Sequence, residues 1–242
     1  MEYRVLSIGC LSAHPLRGEE VPVRTGHATC SLIRVGSSVI VVDPGLPAEA
    51  LRQRLDERAG IRPDEITHVF LTSFKAETCR GIGLFENAAW LVHADEREGA
   101  GVPLAQLLMR ITAEDSRSEQ DAELRTSLEA QIQILQRCET APDTLAADRF
   151  GSGQRGGSKV DLFPLPGVTP GTCGLLLAMP KHTILITGDA VATVEHLEQG
   201  KILDRVQDVD RAKESFAEAI EIADLIVPGR DNISAVPTKR VF

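Results

Sequence analysis

Short apolar runs alternate with amphipathic segments along the first part of the chain. The runs Ser31–Val35 and Val39–Val42 are rich in β-branched residues, and Gly36-Ser37-Ser38 between them predicts a β-hairpin. The segment Ala48–Ala59 carries leucines four residues apart among charged residues, which is typical of an amphipathic helix. Two further strands are predicted, at Thr67–Leu71 and Ala89–His93.

The second half of the chain repeats this order of elements. Strands are predicted at Leu175–Met179 and Thr183–Thr187, a helix at Asp210–Ala223 and a last strand at Leu225–Val227. Two such halves predict an α/β fold in which a pair of sheets packs face to face with helices outside. In such a layered fold, functional groups are expected on the loops at the strand ends.

The segment between the two halves has a helical pattern. Its apolar residues recur at helical spacing as Leu104, Leu107, Leu108 and Ile111, and again as Leu124, Leu128, Ile132 and Leu135. We therefore predict one domain over residues 1–242 with a helical insertion at about 97–150, and a homodimer formed through the second apolar stripe. The Gly-rich stretch 151–158 is predicted to be a linker, because it lacks the strand and the GK[ST] ending of a phosphate loop.

Composition narrows the range of partners. Lys and Arg total 26 and Asp and Glu total 35, so the formal net charge is −9, which argues against nucleic acid as the main partner. No apolar stretch approaches the roughly 20 residues that cross a bilayer, so no membrane span is predicted. The five cysteines form no CxxC pair and leave one over, a usage that favours reduced thiols in the cytoplasm.

Five predicted strand ends carry recognisable short motifs. In chain order they are Val41–Gly45, Ile66–Thr72, Pro166–Gly174, Ile184–Asp189 and Ile226–Asp231. In this order the motifs resemble landmarks of the metallo-β-lactamase superfamily: its DTG or DPG turn, the strand before its H-x-H-x-D-H motif, its PGHTPGSTG loop, its LFTGD strand end and its VPGHG terminus. The resemblance implies a four-layer αβ/βα sandwich with a helical insertion, a dinuclear zinc centre and hydrolytic activity.

The resemblance breaks down at the positions of the metal ligands. By position in the motifs, the residues that line the remnant pocket are Ser73, Lys75, Glu77, Thr78, Val168, Asp189 and Arg230. Of these, only Asp189 matches a family ligand, the bridging aspartate. Zinc binds about four imidazole, thiolate or carboxylate ligands, whereas Lys75 and Arg230 bring positive charge to the place of a dication. Zinc is expected for the family, but no cofactor is predicted for this chain.

The substitutions suggest a charge-for-charge replacement. We predict that Lys75 and Arg230 pair with Glu77 and Asp189 where the metal ions would lie, which makes a non-catalytic structural protein. With Arg80 as a third cation, the same group could instead bind a small anionic molecule. The alternative is a hydrolase of a small anionic ester or thioester with a non-standard or weakly bound metal site.

Covalent catalysis has weaker support. Ser73, Thr78 and Cys79 are possible nucleophiles, but their loop supplies no histidine as a base. None of the six histidines shares a ligand spacing with another. His14 is expected to approach the mouth of the pocket, and His196 is expected to begin an exposed stretch.

Overall fold

The computed structural model of the protein describes residues 1–113, 119–148 and 158–237. Within these ranges the chain forms two six-stranded β-sheets. The strands of the first sheet are β1 (Glu2–Ser7), β2 (Cys30–Val35), β3 (Ser38–Val42), β4 (His68–Leu71), β5 (Ala89–Val92) and β6 (Glu139–Thr140). Those of the second sheet are β7 (Thr144–Ala147), β8 (Lys159–Pro164), β9 (Cys173–Ala178), β10 (Thr183–Gly188), β11 (Leu225–Pro228) and β12 (Ser234–Ala235).

All six α-helices of the described chain lie between strands in the sequence. They are α1 (Ala48–Ala59), α2 (Ala76–Cys79), α3 (Ala94–Ala113), α4 (Glu119–Arg137), α5 (Val194–Gln199) and α6 (Val209–Ile222). Helix α6 begins after Asp208, whose carboxylate accepts hydrogen bonds from the backbone N–H groups of Asp210 and Arg211. Across the described ranges, no helix combines the length and the apolar character that crossing a bilayer requires.

Strand order brings the carboxyl ends of several strands to one edge. The first sheet follows chain order from β1 to β6, and β3, β4 and β5 are parallel neighbours. The second sheet has the order β12-β11-β10-β9-β8-β7, with β10 and β11 parallel. Since parallel strands end at the same edge, the residues after β3 and β4 are neighbours, and so are those after β10 and β11.

Apolar side chains fill three layers of core. Between the sheets, Ile40 and Phe70 of the first sheet pack with Leu175 and Ile186 of the second. Outside the first sheet, the buried leucines of α1 join a second cluster, and outside the second sheet α6 packs through Phe216 in a third. Helices on both outer faces of two packed sheets confirm the predicted four-layer αβ/βα sandwich.

Several strands were missing from the sequence-based prediction. Strands β1, β8 and β12 were not predicted, and β6 and β7 lie within the segment that was expected to hold helices alone. The helical part of that segment therefore ends at Arg137 instead of near residue 150. Strand β6 has two exposed residues, which is too short for an alternating pattern to stand out. The predicted linker falls mainly on residues 149–157, outside the described ranges.

Part of the apolar stripe of α4 is buried in the core of the same chain. Leu128 and Leu135 are buried, and Leu135 belongs to the cluster between the first sheet and its helices. Leu124 remains 43% exposed. About half of the stripe expected to form a homodimer is thus already covered within one chain, and the dimer stays a prediction.

Candidate functional site

The candidate site lies where strands of both sheets end. Asp43 directly follows β3 and is buried with a positive φ of 49°. Its two carboxylate oxygens accept hydrogen bonds from the backbone N–H of Thr72 at 2.8 Å and from the Thr72 hydroxyl at 2.6 Å. The carbonyl of Thr72 in turn accepts from the N–H of Cys173 at 2.9 Å. These bonds join the ends of β3 and β4 to the second sheet.

A glycine allows the two sheets to approach each other at this point. Gly188, the last residue of β10, has a φ of 53°, which favours glycine. A Cβ atom on Gly188 would lie 2.4 Å from the Thr72 hydroxyl oxygen. The close approach places the following residue, Asp189, beside the loop that follows β4.

Three charged side chains meet around the Asp189 carboxylate. The Arg230 guanidinium donates from Nε to Oδ1 at 2.7 Å and from Nη2 to Oδ2 at 2.8 Å, a bidentate pair. The Lys75 ammonium donates to Oδ2 at 2.9 Å. Asp189 and Arg230 are buried, whereas the side chain of Lys75 is 28% exposed. We call Lys75, Asp189 and Arg230 the ion-pair cluster.

Electrostatics within the cluster favour the charged forms of Asp189 and Arg230. Burial would raise the pKa of Asp189, but the charges and hydrogen bonds of Arg230 and Lys75 outweigh it and hold this pKa well below its usual range. Burial disfavours the charge on Arg230, but Asp189 and, more weakly, Glu77 outweigh it, so the pKa of Arg230 lies above its usual range. Two cations therefore face one buried carboxylate.

The other predicted pocket residues have different places. Within the described residues, Glu77 forms no ion pair with the cluster, contrary to the predicted pairing, and acts on Arg230 through its charge alone. The Thr78 hydroxyl donates to the backbone carbonyl of Ser73 at 2.7 Å. Val168 is buried in its loop. The Ser73 hydroxyl is buried with no hydrogen-bond partner in the described chain.

Two further candidates do not take part in the cluster. Arg80 is exposed and contacts the carbonyl of Gly45 at 3.4 Å, so it does not supply the third cation of the predicted anion site. Cys79 is buried, and burial raises the pKa of its thiol to about 12. A thiol that holds its proton at neutral pH is a poor nucleophile.

Sequence and structure comparisons decide the family. The sequence model of the metallo-β-lactamase superfamily matches residues 23–229. The chain belongs to this superfamily. Among curated protein sequences, none matches it significantly.

Solved structures of the superfamily share the fold with this chain. A metallo-β-lactamase candidate from Thermotoga maritima has a TM-score of 0.61 and 18% identity, over 97% of this chain and 98% of the other. The hydrolase AbOPH has a TM-score of 0.60 and 18% identity, over 99% of this chain and 91% of the other. A quorum-quenching N-acyl homoserine lactone lactonase has a TM-score of 0.59 and 19% identity, over 99% of this chain and 95% of the other. At these identities the likeness concerns the fold.

The residues at the metal-ligand positions of this chain do not fit a dinuclear zinc centre. Both oxygens of Asp189 already accept hydrogen bonds from Lys75 and Arg230. Val168 has no lone pair, and an ammonium or guanidinium group repels a dication. In the described part of the chain, no three or more His, Cys, Asp or Glu side chains are grouped so that they could hold a metal ion.

Sequence reasoning missed Glu96, which belongs to the same region. Its carboxylate is buried and accepts hydrogen bonds from the N–H of Phe74 at 2.7 Å, the hydroxyl of Thr169 at 2.6 Å and the N–H of Gly171 at 3.2 Å. Glu96 thereby joins the loop after β4 to the loop around Thr169. In the sequence it is one of two acidic residues in the first turn of α3, so its burial gives no local signal.

Asp43 predicts a pH dependence of stability. Burial is the main cause that raises its pKa to about 7. The folded protein then binds more protons than the unfolded chain between about pH 4 and 7, so the free energy of unfolding should fall as pH rises through this range. We expect a slope on the order of 1 kcal/mol per pH unit in urea unfolding between about pH 5 and 6.5, and almost none above about pH 8.

The matched control is Asp43→Asn, which tolerates a positive φ and keeps an acceptor for Thr72. This variant should lose most of the slope and gain stability relative to the native chain at pH 8. Asp189, with its low pKa, loses its contribution only below about pH 4, so it does not mask the effect. Equal slopes for the two proteins would contradict the assignment to Asp43.

Proposed function

We propose that this chain is a metal-independent, non-catalytic member of the superfamily, a structural or small-molecule-binding protein that has lost the dinuclear centre. The observation that carries the proposal is that both oxygens of the Asp189 carboxylate accept hydrogen bonds from Lys75 and Arg230. The one family ligand that remains, by its position in the motif, thus has both oxygens engaged by cationic side chains.

Physical chemistry supports a replacement of metal ions by side-chain cations. A buried carboxylate without a partner is costly, and its usual partners in this family would be metal ions. In this chain a bidentate guanidinium and an ammonium supply the positive charge. The same cations repel zinc. Without a metal ion, nothing lowers the pKa of the attacking water as hydrolysis in this family requires.

A second candidate is a hydrolase of a small anionic ester or thioester with a non-standard metal site. It is favoured by the likeness to a lactone lactonase and to the hydrolase AbOPH. It would require Lys75 and Arg230 to leave Asp189, so that a carboxylate oxygen becomes free for a metal.

Metal analysis separates the two candidates. Protein purified without a chelator should contain zinc and iron well below stoichiometric amounts. Its thermal unfolding midpoint should be the same with added zinc as after chelator treatment, because a ligand that binds only the folded state would raise that midpoint. Lactone and thioester hydrolysis should remain at the rate of the buffer.

Stoichiometric zinc or iron, together with hydrolysis that the chelator abolishes, would overturn the proposal and establish the hydrolase. The control is a zinc-dependent lactonase of the same fold, carried through the same purification. Zinc that stays bound to this lactonase shows that the procedure does not itself strip metal from such a centre.

We also propose that the protein works in a reducing compartment such as the cytoplasm. All five cysteines are free, and Cys30, Cys79, Cys138 and Cys173 are buried as thiols. Small buried thiols are compatible with the cytoplasm, where disulfides are rare.

A further inference from the structure

A small polar cavity lies beside the ion-pair cluster. It has a volume of about 200 Å³ and includes Arg17, Arg24, Thr193, Arg230 and Asp231 in its lining. At roughly 30 Å³ per water molecule, this volume corresponds to about six or seven waters. This space can hold a ligand of a few heavy atoms.

Each arginine of the cavity is held in place by a carboxylate outside its lining. Arg17 donates from Nε to Glu195 at 2.7 Å, and Arg24 donates from Nη1 to Glu19 at 2.8 Å. Arg230 is held by Asp189 as described above. A guanidinium group has five N–H donors, and each of these arginines keeps some of them free of the protein hydrogen bonds. Side chains fixed in this way lose little further entropy when they bind a ligand.

A buried histidine adds an unsatisfied polar atom to the lining. His14 is 3% exposed, and its Nε2 lies 3.2 Å from the Thr193 hydroxyl oxygen and 3.3 Å from Glu195 Oε2. Its Nδ1 is buried and has no hydrogen-bond partner in the described chain. A buried nitrogen without a partner costs free energy that a bound polar molecule can recover.

The charge balance of the cavity decides which class of ligand fits. The three arginines and Lys75, which shares Asp189 with Arg230, face three carboxylate partners, and the carboxylate of Asp231 balances the fourth positive charge. The Asp231 carboxylate is fixed by the N–H groups of Val194 at 3.2 Å and Asn232 at 2.8 Å. Because these charges already balance, a doubly charged phosphate would bring two negative charges that nothing in the group compensates. A ligand that carries both a carboxylate and a cationic group fits better, because its carboxylate can accept from the arginines and its cation can donate to Asp231.

We propose that this cavity binds a small zwitterion, namely an α-amino acid with a short side chain. Its carboxylate contacts the free N–H groups of Arg17, Arg24 and Arg230, and its ammonium group contacts Asp231. The inference rests on the proposed function in one respect: Arg230 must stay paired with Asp189 and not give way to a metal ion. It also gives that function a ligand class and places the ligand beside the cluster, not within it.

Titration calorimetry on chelator-treated protein tests the proposal with L-alanine and L-serine as probes. Lactate, which has a hydroxyl in place of the ammonium group of L-alanine, should bind at least tenfold more weakly, and inorganic phosphate should not compete. Arg17→Met should weaken the binding of L-alanine at least tenfold. The Arg17 side chain is 54% exposed, so this variant should fold like the native chain.

Two further variants sharpen the test. Asp231→Asn keeps an acceptor for Val194 but removes the charge that faces the ammonium group, so it should weaken L-alanine binding tenfold and leave lactate binding unchanged. Arg52→Met, on the exposed face of α1, is the matched control and should have no effect.

The outcomes distinguish this inference from the proposed function. Metal-free protein that binds neither L-alanine nor L-serine, or binds them equally well after Arg17→Met, would overturn the amino-acid site while the metal-independent assignment stands. Phosphate that displaces the probe would replace it with a simple anion site. Stoichiometric zinc in the purified protein would instead remove the proposed function itself.

Discussion

Asp189→Asn is expected to lower the free energy of unfolding by about 3–5 kcal/mol, because it leaves the buried Arg230 without its counter-charge. The amide keeps the size of the carboxylate, so the loss reflects the missing charge and acceptor oxygen and not a cavity. Urea unfolding at pH 7 checks the value. Asp64→Asn is the matched control, since Asp64 forms an exposed ion pair with Arg62, and it should leave the unfolding midpoint nearly unchanged.

A double-mutant cycle with Arg230→Met tests whether this loss belongs to the pair. Arg230→Met alone should also destabilise strongly, because Asp189 then keeps only Lys75. The double variant should be more stable than the sum of the two single losses predicts, because no buried charge is then left without its partner. Additive losses would show that the two side chains do not act as a pair and would contradict the cluster.

Lys75 is expected to contribute less than Arg230. It makes one hydrogen bond to Asp189 where Arg230 makes two, and its side chain is partly open to water, which screens its charge. Lys75→Met should therefore destabilise clearly less than Arg230→Met in the same measurement. A larger loss for Lys75 would mean that its ammonium group, and not the Arg230 guanidinium, is the main partner of Asp189.

The members of the ion-pair cluster could be predicted from the sequence because each follows closely on a recognisable strand end. The order of the motifs alone predicts that Lys75, Asp189 and Arg230 lie at the same edge of the fold. Their pairing was predicted only in part, because the backbone decides which side chains reach one another. Glu77 comes only two residues after Lys75. Its backbone carbonyl accepts a hydrogen bond from the N–H of Ala28, but in the described chain its side chain forms no ion pair with the cluster.

Long-range contacts set the limit of the sequence analysis elsewhere as well. Apolar β-branched runs such as β3 and β4 are strong local signals, whereas β8 mixes charged and apolar residues and gains its place by pairing with β9. His196 was expected in an exposed stretch, but it is buried with its Nδ1 2.8 Å from the Thr193 hydroxyl. That expectation was wrong because the segment around His14 packs against it, with ring centroids 5.5 Å apart.

A metal centre joins the loops that supply its ligands, and side-chain bonds join the same loops in this chain. The ion-pair cluster connects the loop after β4 with the ends of β10 and β11. Glu96 connects that loop with the one around Thr169. Two separate sets of bonds thus connect the loops that a metal pair would hold, so the proposed metal-independent protein could keep these loops in place.

Glu96→Ala is accordingly expected to cost about 3 kcal/mol, because two buried donors, the N–H groups of Phe74 and Gly171, lose their acceptor and the partly buried Thr169 hydroxyl loses one of its partners. Urea unfolding gives the loss, and hydrogen exchange at the amide of Gly171 should become faster. Glu98→Ala, an exposed position on the same helix, is the control and should change neither quantity. Glu96→Gln should fall between the two, since its amide keeps one acceptor oxygen but turns a second donor towards Gly171. If Glu96→Ala were no more harmful than Glu98→Ala, the loops would be held by the ion-pair cluster alone, and Asp189→Asn should then release both of them together.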